Sequence, residues 1–235
     1  MKTILFFLML IFSGILLSSC SKENEENPAI NIPINEVISS TVLNDIKNHM
    51  PIYEEYLYPI INGTFYLHPT HMKYSSIIGD EKYYDGNFHF YDCLFTFSKI
   101  KSDDNSIKVS IDEVDEDGEV DTRSQSNGKS FIYGSGNNFS VCCEMISEDI
   151  SDGSTFKSLC IISGTKSTNG ITNLTFSILL QEKNDPNNDY IDVNAYRLFR
   201  DGDGFSTDTV ITRSSTKYKS SKLLPTKRIK GILLR

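Results

Sequence analysis

The chain has 235 residues, 39% of them hydrophobic, which is enough for one domain with a well-developed core. Its charge is uneven: residues 21–205 carry 14 basic and 30 acidic side chains, whereas residues 206–235 carry eight Lys or Arg and one Asp. An acidic body repels the phosphates of nucleic acids and of anionic lipids. Binding to DNA or RNA is therefore excluded as a function.

Residues 1–20 have the layout of an export signal. Lys2 supplies a short positive start, and residues 4–17 are almost entirely Ile, Leu, Phe and Met. Because a bilayer-spanning helix needs about 20 apolar residues, this run indicates a cleaved signal rather than a membrane span. Leu17-Ser18-Ser19-Cys20 resembles the lipobox of bacterial lipoproteins, which implies that residues 1–19 are removed and that Cys20 becomes an acylated, palmitate-bearing N-terminus. An ordinary signal peptide with an incidental Cys is the alternative.

The residues directly after Cys20 are acidic. Ser21-Lys22-Glu23-Asn24-Glu25-Glu26 resembles the export signal that sends Bacteroidetes lipoproteins to the outer face of the outer membrane. This resemblance implies an outer-membrane lipoprotein that is held by its acyl chains and exposed at the cell surface. A plain solvated tether is the alternative. Residues 20–49 are accordingly predicted to form a lipidated acidic tether followed by a short helix near residues 36–48.

From Asn62 onward the sequence favours β-strands. Apolar and polar residues alternate with a period of two in Phe95-Thr96-Phe97-Ser98, in residues 107–112, in Phe139-Ser140-Val141 and in residues 174–178. Turn-forming sequences separate these runs; examples are Asp115-Glu116-Asp117-Gly118, Asn127-Gly128, Gly136-Asn137-Asn138, Ser151-Asp152-Gly153 and Thr168-Asn169-Gly170.

About eight consecutive strands are expected between Gly63 and Phe199, with no helices among them. This pattern predicts an all-β domain over residues 50–205, folded as an eight-stranded antiparallel up-and-down barrel. A β-sandwich would satisfy the same alternation and is the alternative. Residues 206–235 are predicted to form a basic, disordered tail.

The two ends of the strand series resemble those of lipocalin-like barrels. Gly63-Thr64-Phe65-Tyr66 opens the first strand and Ala195-Tyr196-Arg197-Leu198-Phe199 lies in the last. In that family an aromatic residue of the opening strand packs beneath an Arg of the final strand. Arg197 shares a face with apolar neighbours, so it either points inward towards a partner or is turned outward by a β-bulge.

A wider resemblance covers roughly residues 50–205. Met50-Pro51-Ile52-Tyr53, Ile61-Asn62-Gly63-Thr64-Phe65, Ile162-Ser163-Gly164-Thr165 and Tyr196-Arg197-Leu198-Phe199-Arg200-Asp201-Gly202-Asp203-Gly204 are similar to segments of a group of Bacteroidetes surface lipoproteins. The resemblance implies a barrel-like domain and no known reaction.

The sequence favours a binding domain over an enzyme. It contains no nucleophile elbow, no phosphate-binding loop and no His-Glu-x-x-His motif, so no catalytic residue, cofactor or metal site is predicted. A small apolar or amphipathic ligand inside the barrel is the first expectation, with its lining predicted at Phe95, Phe97, Val141, Met145, Phe176 and Arg197. The alternatives are a glycan held by Tyr53, Tyr56, Tyr58, Tyr83 and Tyr84, or a side-chain-filled barrel that serves as a structural or interaction subunit.

Three groups of residues are candidates for metal or disulfide sites. His68 and His71 lie three residues apart on extended chain and are expected to face opposite ways, which disfavours a metal pair. The opening of a calcium loop is echoed by Glu113, Asp115, Asp117 and Gly118, and again by Asp201-Gly202-Asp203-Gly204, but both acidic turns are expected to be hairpin turns or strand ends. Cys93, Cys142, Cys143 and Cys160 each lie in an apolar run and form either buried thiols or at least one disulfide.

Overall fold

A computed structural model describes residues 38–84, 86, 88–99, 104–208, 228–229 and 231–234. The export signal, the lipobox and the acidic tether predicted from the sequence lie outside these residues. Among the described residues, no helix combines the length and the hydrophobicity that a bilayer crossing requires.

The predicted N-terminal helix is present as α1 (Ser40–His49). Ser39 caps its first turn, since the Ser39 hydroxyl accepts a hydrogen bond from the backbone N–H of Val42. The helix ends at His49, and its cap residue Met50 is extended because it directly precedes Pro51 and α geometry is disfavoured before proline.

Thirteen strands follow in the described chain, with one short 3₁₀ helix, η1 (Asp80–Tyr83), between β3 and β4. The strands are β1 (Tyr56–Leu57), β2 (Gly63–Leu67), β3 (Thr70–Ser75), β4 (His89–Phe90), β5 (Asp92–Lys99), β6 (Ile107–Val114), β7 (Val120–Ser135), β8 (Asn138–Asp149), β9 (Thr155–Lys166), β10 (Gly170–Asn184), β11 (Tyr196–Asp201), β12 (Phe205–Asp208) and β13 (Arg228–Ile229).

These strands form one closed antiparallel barrel with eight wall segments. Three segments consist of two strands in line: β2 with β3, β4 with β5, and β11 with β12, while β6 to β10 supply one segment each. Neighbouring segments pair in chain order, and the ring closes because β11 pairs with β3 and β12 pairs with both β2 and β10. The predicted up-and-down barrel is therefore confirmed, and the alternative of two separate packed sheets is not.

Successive wall segments run in opposite directions, so the barrel has two distinct ends. We call them the Gly63 end, where β2 begins, and the Ser75 end, where β3 finishes. Inward residues alternate with outward ones; Phe95 and Phe97 of β5 and Val109 and Ile111 of β6 all point into the interior.

A second core covers one outer wall of the barrel. The helical residues Leu43 and Ile46 pack with outward side chains of the wall, among them Cys142, Ile161 and Leu198. A hydrogen bond from the hydroxyl of Tyr196 to the carboxylate of Asp45 ties the helix to β11. The helix thus covers apolar wall surface that would otherwise face water.

Most predicted turns lie between strands, but one does not. Asp115-Glu116-Asp117-Gly118 connects β6 to β7, and Ser151-Asp152-Gly153 connects β8 to β9. Asn127-Gly128, predicted as a turn, instead lies inside β7, where the pairing with β8 shifts between Ser126 and Ser130. Gly128 has a φ of +75°, and a left-handed residue suits a bulge within a strand as well as a tight turn.

The disordered tail predicted from residue 206 is wrong for the described parts of that region. Residues 206–208 belong to β12, and β13 pairs with β4 in parallel. Ile232 and Leu233 are buried in the barrel core, because the apolar residues of this region fill the Ser75 end. Residues 209–227 lie outside the described chain.

Candidate functional site

Five of the six predicted lining residues meet in the interior of the barrel. Phe95, Phe97, Val141, Met145 and Phe176 are each at most 1% exposed and belong to one continuous core cluster. The three phenylalanine rings pack with one another and with two further phenylalanines: the ring centroids of Phe95 and Phe176 are 5.1 Å apart, those of Phe176 and Phe199 are 5.2 Å apart, and those of Phe97 and Phe139 are 6.2 Å apart. These residues contact one another across the interior; whether they also bind a ligand stays a prediction.

The sixth residue, Arg197, lies inside the barrel at the Ser75 end and is only 2% exposed. Its Nε donates to the Asp80 carboxylate of η1 at 2.8 Å. Its Nη1 donates to the backbone carbonyls of Ile232 at 3.1 Å and Leu234 at 2.5 Å. Arg197 therefore points inward, and its partner is the Asp80 carboxylate rather than an aromatic ring. No pattern in the sequence indicates Asp80 as this partner, because it lies in the short helix η1 between β3 and β4.

Residues 228–229 and 231–234 form what we call the closing segment, because it covers the Ser75 end. Ile232 and Leu233 are each 2% exposed. The backbone N–H of Ile191 donates to the carbonyl of Leu233 at 2.9 Å, and the N–H of Ile232 donates to the Glu113 carboxylate at 2.9 Å. The segment thus contacts both the barrel wall and the connection that precedes β11.

Glu113 points into the barrel, in phase with the inward residues Val109 and Ile111 of β6. Burial raises the pKa of Glu113 to about 8, although the hydrogen bond from Ile232 opposes that shift. Nearby, the hydroxyl of Tyr190 donates to the buried carboxylate of Asp149 at 2.6 Å, and burial followed by this carboxylate raises the pKa of Tyr190. The alternation along β6 was enough to predict that Glu113 points inward. No feature of the sequence predicts its hydrogen bond with Ile232.

A histidine cluster lies on the outer wall near the Pro69 bend. His71 Nε2 lies 3.1 Å from His89 Nδ1, and His68 Nδ1 lies 2.8 Å from the carboxylate of Asp92. Asp92 also accepts a hydrogen bond from the hydroxyl of Tyr66 at 2.8 Å. Burial, followed by the charges of His89, Arg200 and His68, lowers the pKa of His71 to about 4.

This cluster contains metal-ligand residue types but does not have the arrangement of a metal centre. Among the described residues, no three His, Cys, Asp or Glu side chains are arranged to hold a metal ion. His68 contacts Asp92 whereas His71 contacts His89, but the expectation that the two histidines face opposite ways is wrong, because both lie in this cluster and the charge of His68 acts on His71. The ring of His71 also packs against Gly86 and Gly202, where a Cβ atom would come within 2.8 Å and 2.7 Å of its Cε1.

Both acidic turns are confirmed as structural turns. The Asp115 carboxylate accepts hydrogen bonds from the backbone N–H groups of Asp117 and Glu119, each at 2.9 Å. Asp201 ends β11 and accepts a hydrogen bond from the hydroxyl of Ser206 at 2.6 Å, and burial raises its pKa to about 7. These carboxylates are used to fix the backbone of the turns.

The four described cysteines are buried free thiols. Cys143 and Cys160 face each other across the pairing of β8 with β9. A hydrogen bond with Cys160, followed by burial, raises the pKa of Cys143, and burial also raises the pKa values of Cys93 and Cys142. Such thiols are poor nucleophiles.

The five tyrosines predicted as a glycan platform divide between the two ends of the barrel. Three lie at the Gly63 end: the backbone N–H of Tyr53 donates to the hydroxyl of Ser140 at 2.8 Å, Tyr56 pairs with Gly134 near the end of β7, and Tyr58 donates to the carbonyl of Asp104 at 3.1 Å. Tyr83 and Tyr84 lie in and beside η1, at the Ser75 end. No single platform can therefore contain all five.

Comparisons of this chain with protein-family models, with curated proteins and with solved structures give no match.

Proposed function

We propose that this protein is a lipid-anchored lipoprotein of the outer-membrane surface whose barrel is a rigid, non-catalytic interaction module. The observation that supports this best is the packing of the interior, where Phe95, Phe97 and Phe176 contact neighbouring rings at exposures of 1% or less. Eight-stranded barrels are narrow enough for their own side chains to fill. A filled barrel offers its outer surface and its ends to a partner rather than its interior.

The anchor in this proposal is Cys20, and it rests on the lipobox and the acidic sequence that follows it. Several acyl chains on one cysteine give stable attachment, since each buried CH₂ group contributes about 0.8 kcal/mol. Proteinase added to intact cells should degrade the protein, and Cys20→Ser should prevent its acylation. Degradation that begins only after the cells are lysed would contradict surface exposure.

A fluorescent apolar probe tests whether the interior is filled. We expect the unmodified protein not to bind the probe, because the phenylalanine rings occupy the space that it would need. Phe176→Ala removes a ring from the centre of the cluster and should create an apolar cavity that binds small apolar molecules. Phe205 is half-buried and lies outside the interior cluster, so Phe205→Ala leaves that cluster intact and serves as the control. Strong binding by the unmodified protein would favour the second candidate function, which is the carriage of a small apolar ligand.

A further inference from the structure

Residues 56–60 form an apolar projection at the Gly63 end, which we call the lip. Its sequence is Tyr56-Leu57-Tyr58-Pro59-Ile60. Tyr56 is 58% exposed, and Leu57 and Ile60 are each 75% exposed. The ring of Tyr56 and the aliphatic side chains of Leu57 and Ile60 lie close together in the chain, and their combined exposure to water indicates a surface that is covered in use.

The lip is held rigidly against the barrel. The backbone N–H of Gly134 donates to the carbonyl of Glu55 at 2.7 Å, and the Tyr56 ring lies 5.9 Å from the ring of Tyr133. The chain passes so close to Gly134 that a Cβ there would lie 3.1 Å from the Cα of Tyr58 and 2.2 Å from the carbonyl oxygen of Asn138. The lip is thus fixed in place with its apolar side chains facing outward.

The size and composition of the lip fit a membrane better than a protein partner. Three exposed side chains present on the order of a few hundred Å². A stable protein–protein interface needs about 800 Å² from each partner. Tyrosine is enriched at the boundary between lipid headgroups and acyl chains, and leucine is common on the apolar faces of segments that lie there.

We propose that the lip inserts into the headgroup and acyl boundary of the bilayer that holds the acyl chains of Cys20. This inference rests on the proposed lipid anchor. Seventeen residues separate Cys20 from Ile38, and even fully extended they span at most about 60 Å, so the barrel stays close to its membrane. Anchoring makes insertion intramolecular, so a small apolar contact is sufficient.

The charges beside the lip predict which lipids it prefers. Glu54 and Glu55 directly precede it and are exposed, although Glu54 pairs with Lys47 at 2.7 Å. Carboxylates at this position repel anionic headgroups, so insertion should be strongest in bilayers of phosphatidylcholine and weaker when phosphatidylglycerol is added.

Tryptophan fluorescence measures the insertion directly, because the chain contains no tryptophan. Leu57→Trp places a single reporter on the lip. Ile78→Trp places the matched reporter at a residue that is 97% exposed at the Ser75 end. Each lipidated full-length variant is reconstituted into phosphatidylcholine vesicles with and without brominated acyl chains, and flotation of the vesicles shows whether the protein is anchored.

We expect both variants to float with the vesicles, and only Leu57→Trp to shift its emission to the blue and lose fluorescence to brominated lipid. That loss should decrease when phosphatidylglycerol is included. Flotation without quenching of Leu57→Trp would overturn the insertion of the lip and favour a protein partner for it. A protein that does not float would contradict the anchor instead, so the two failures are distinct. Equal quenching of both reporters would show that the contact is not specific to the lip, which also overturns the proposal.

Discussion

Replacing Arg197 with Met tests the closed Ser75 end of the barrel most severely. The substitution keeps a long side chain of similar length but removes the ion pair with Asp80 and the two hydrogen bonds to the closing segment. Asp80 is only 6% exposed, and its carboxylate would remain buried without its cation. Breaking a buried ion pair on one side destabilises a protein by about 3–5 kcal/mol.

The freed carbonyls of Ile232 and Leu234 add to this loss. A buried acceptor that loses its donor costs about 1–3 kcal/mol, although the separate losses are not additive. We therefore expect Arg197→Met to lower the free energy of unfolding by at least about 4 kcal/mol. Since a domain of this size has only about 5–15 kcal/mol in total, the variant should be close to unfolding.

Urea denaturation followed by circular dichroism measures this change, and Arg200→Met is the matched control. Arg200 lies on the same strand three residues later and is exposed, so its replacement should change the stability by less than about 0.5 kcal/mol. Replacing both partners, as in Arg197→Met with Asp80→Leu, should recover part of the loss because no charge is left unpaired. If Arg197→Met were as stable as Arg200→Met, the buried ion pair would not hold this end of the barrel together.

Four further expectations follow from burial and charge. Glu113 keeps its proton up to about pH 8 in the folded protein but only up to about pH 4.5 when unfolded. As the pH rises between these values, the free energy of unfolding should therefore fall, relative to that of Glu113→Gln, by up to about 1.4 kcal/mol per pH unit. If urea denaturation shows the same pH dependence of stability for both proteins, the pKa of Glu113 is not raised. The His71 ring should titrate near pH 4 by NMR, and a midpoint near 6.5 would show that it is solvated. Ellman's reagent should leave the four buried thiols unmodified until the protein is unfolded, whereas rapid reaction of the native protein would contradict their burial. Ile46→Ala should cost about 2–5 kcal/mol if α1 is part of the fold, against a negligible cost if the helix is only loosely attached.

The sequence predicted the barrel because its signals are local. The alternation in β5 and β6 reports which face is buried, and the turn residues between the wall segments report where the chain reverses. Asn127-Gly128 shows the limit of such signals, since the same dipeptide serves a hairpin turn or a bulge, and only the pairing of β7 with β8 distinguishes them.

The contacts that close the barrel could not be predicted in the same way. The burial of Arg197 was visible as a charged residue in phase with apolar ones, but its partners are remote: Asp80 is 117 residues away, and Ile232 and Leu234 are 35 and 37 residues away. The closing segment was expected to be disordered because its region is rich in Lys and Ser. Its buried part is only Ile232 and Leu233, and two apolar residues have little effect on the average composition of a thirty-residue region.

Native mass spectrometry of the protein purified from its own host tests the filled barrel most directly. Gentle ionisation preserves a ligand inside a barrel, and denaturation releases it. We expect the native and the denatured protein to have the same mass, equal to that of the chain from Cys20 onward with its acyl groups. An additional discrete mass that leaves on denaturation would contradict the filled interior and would show that Phe95, Phe97 and Phe176 separate to enclose a ligand.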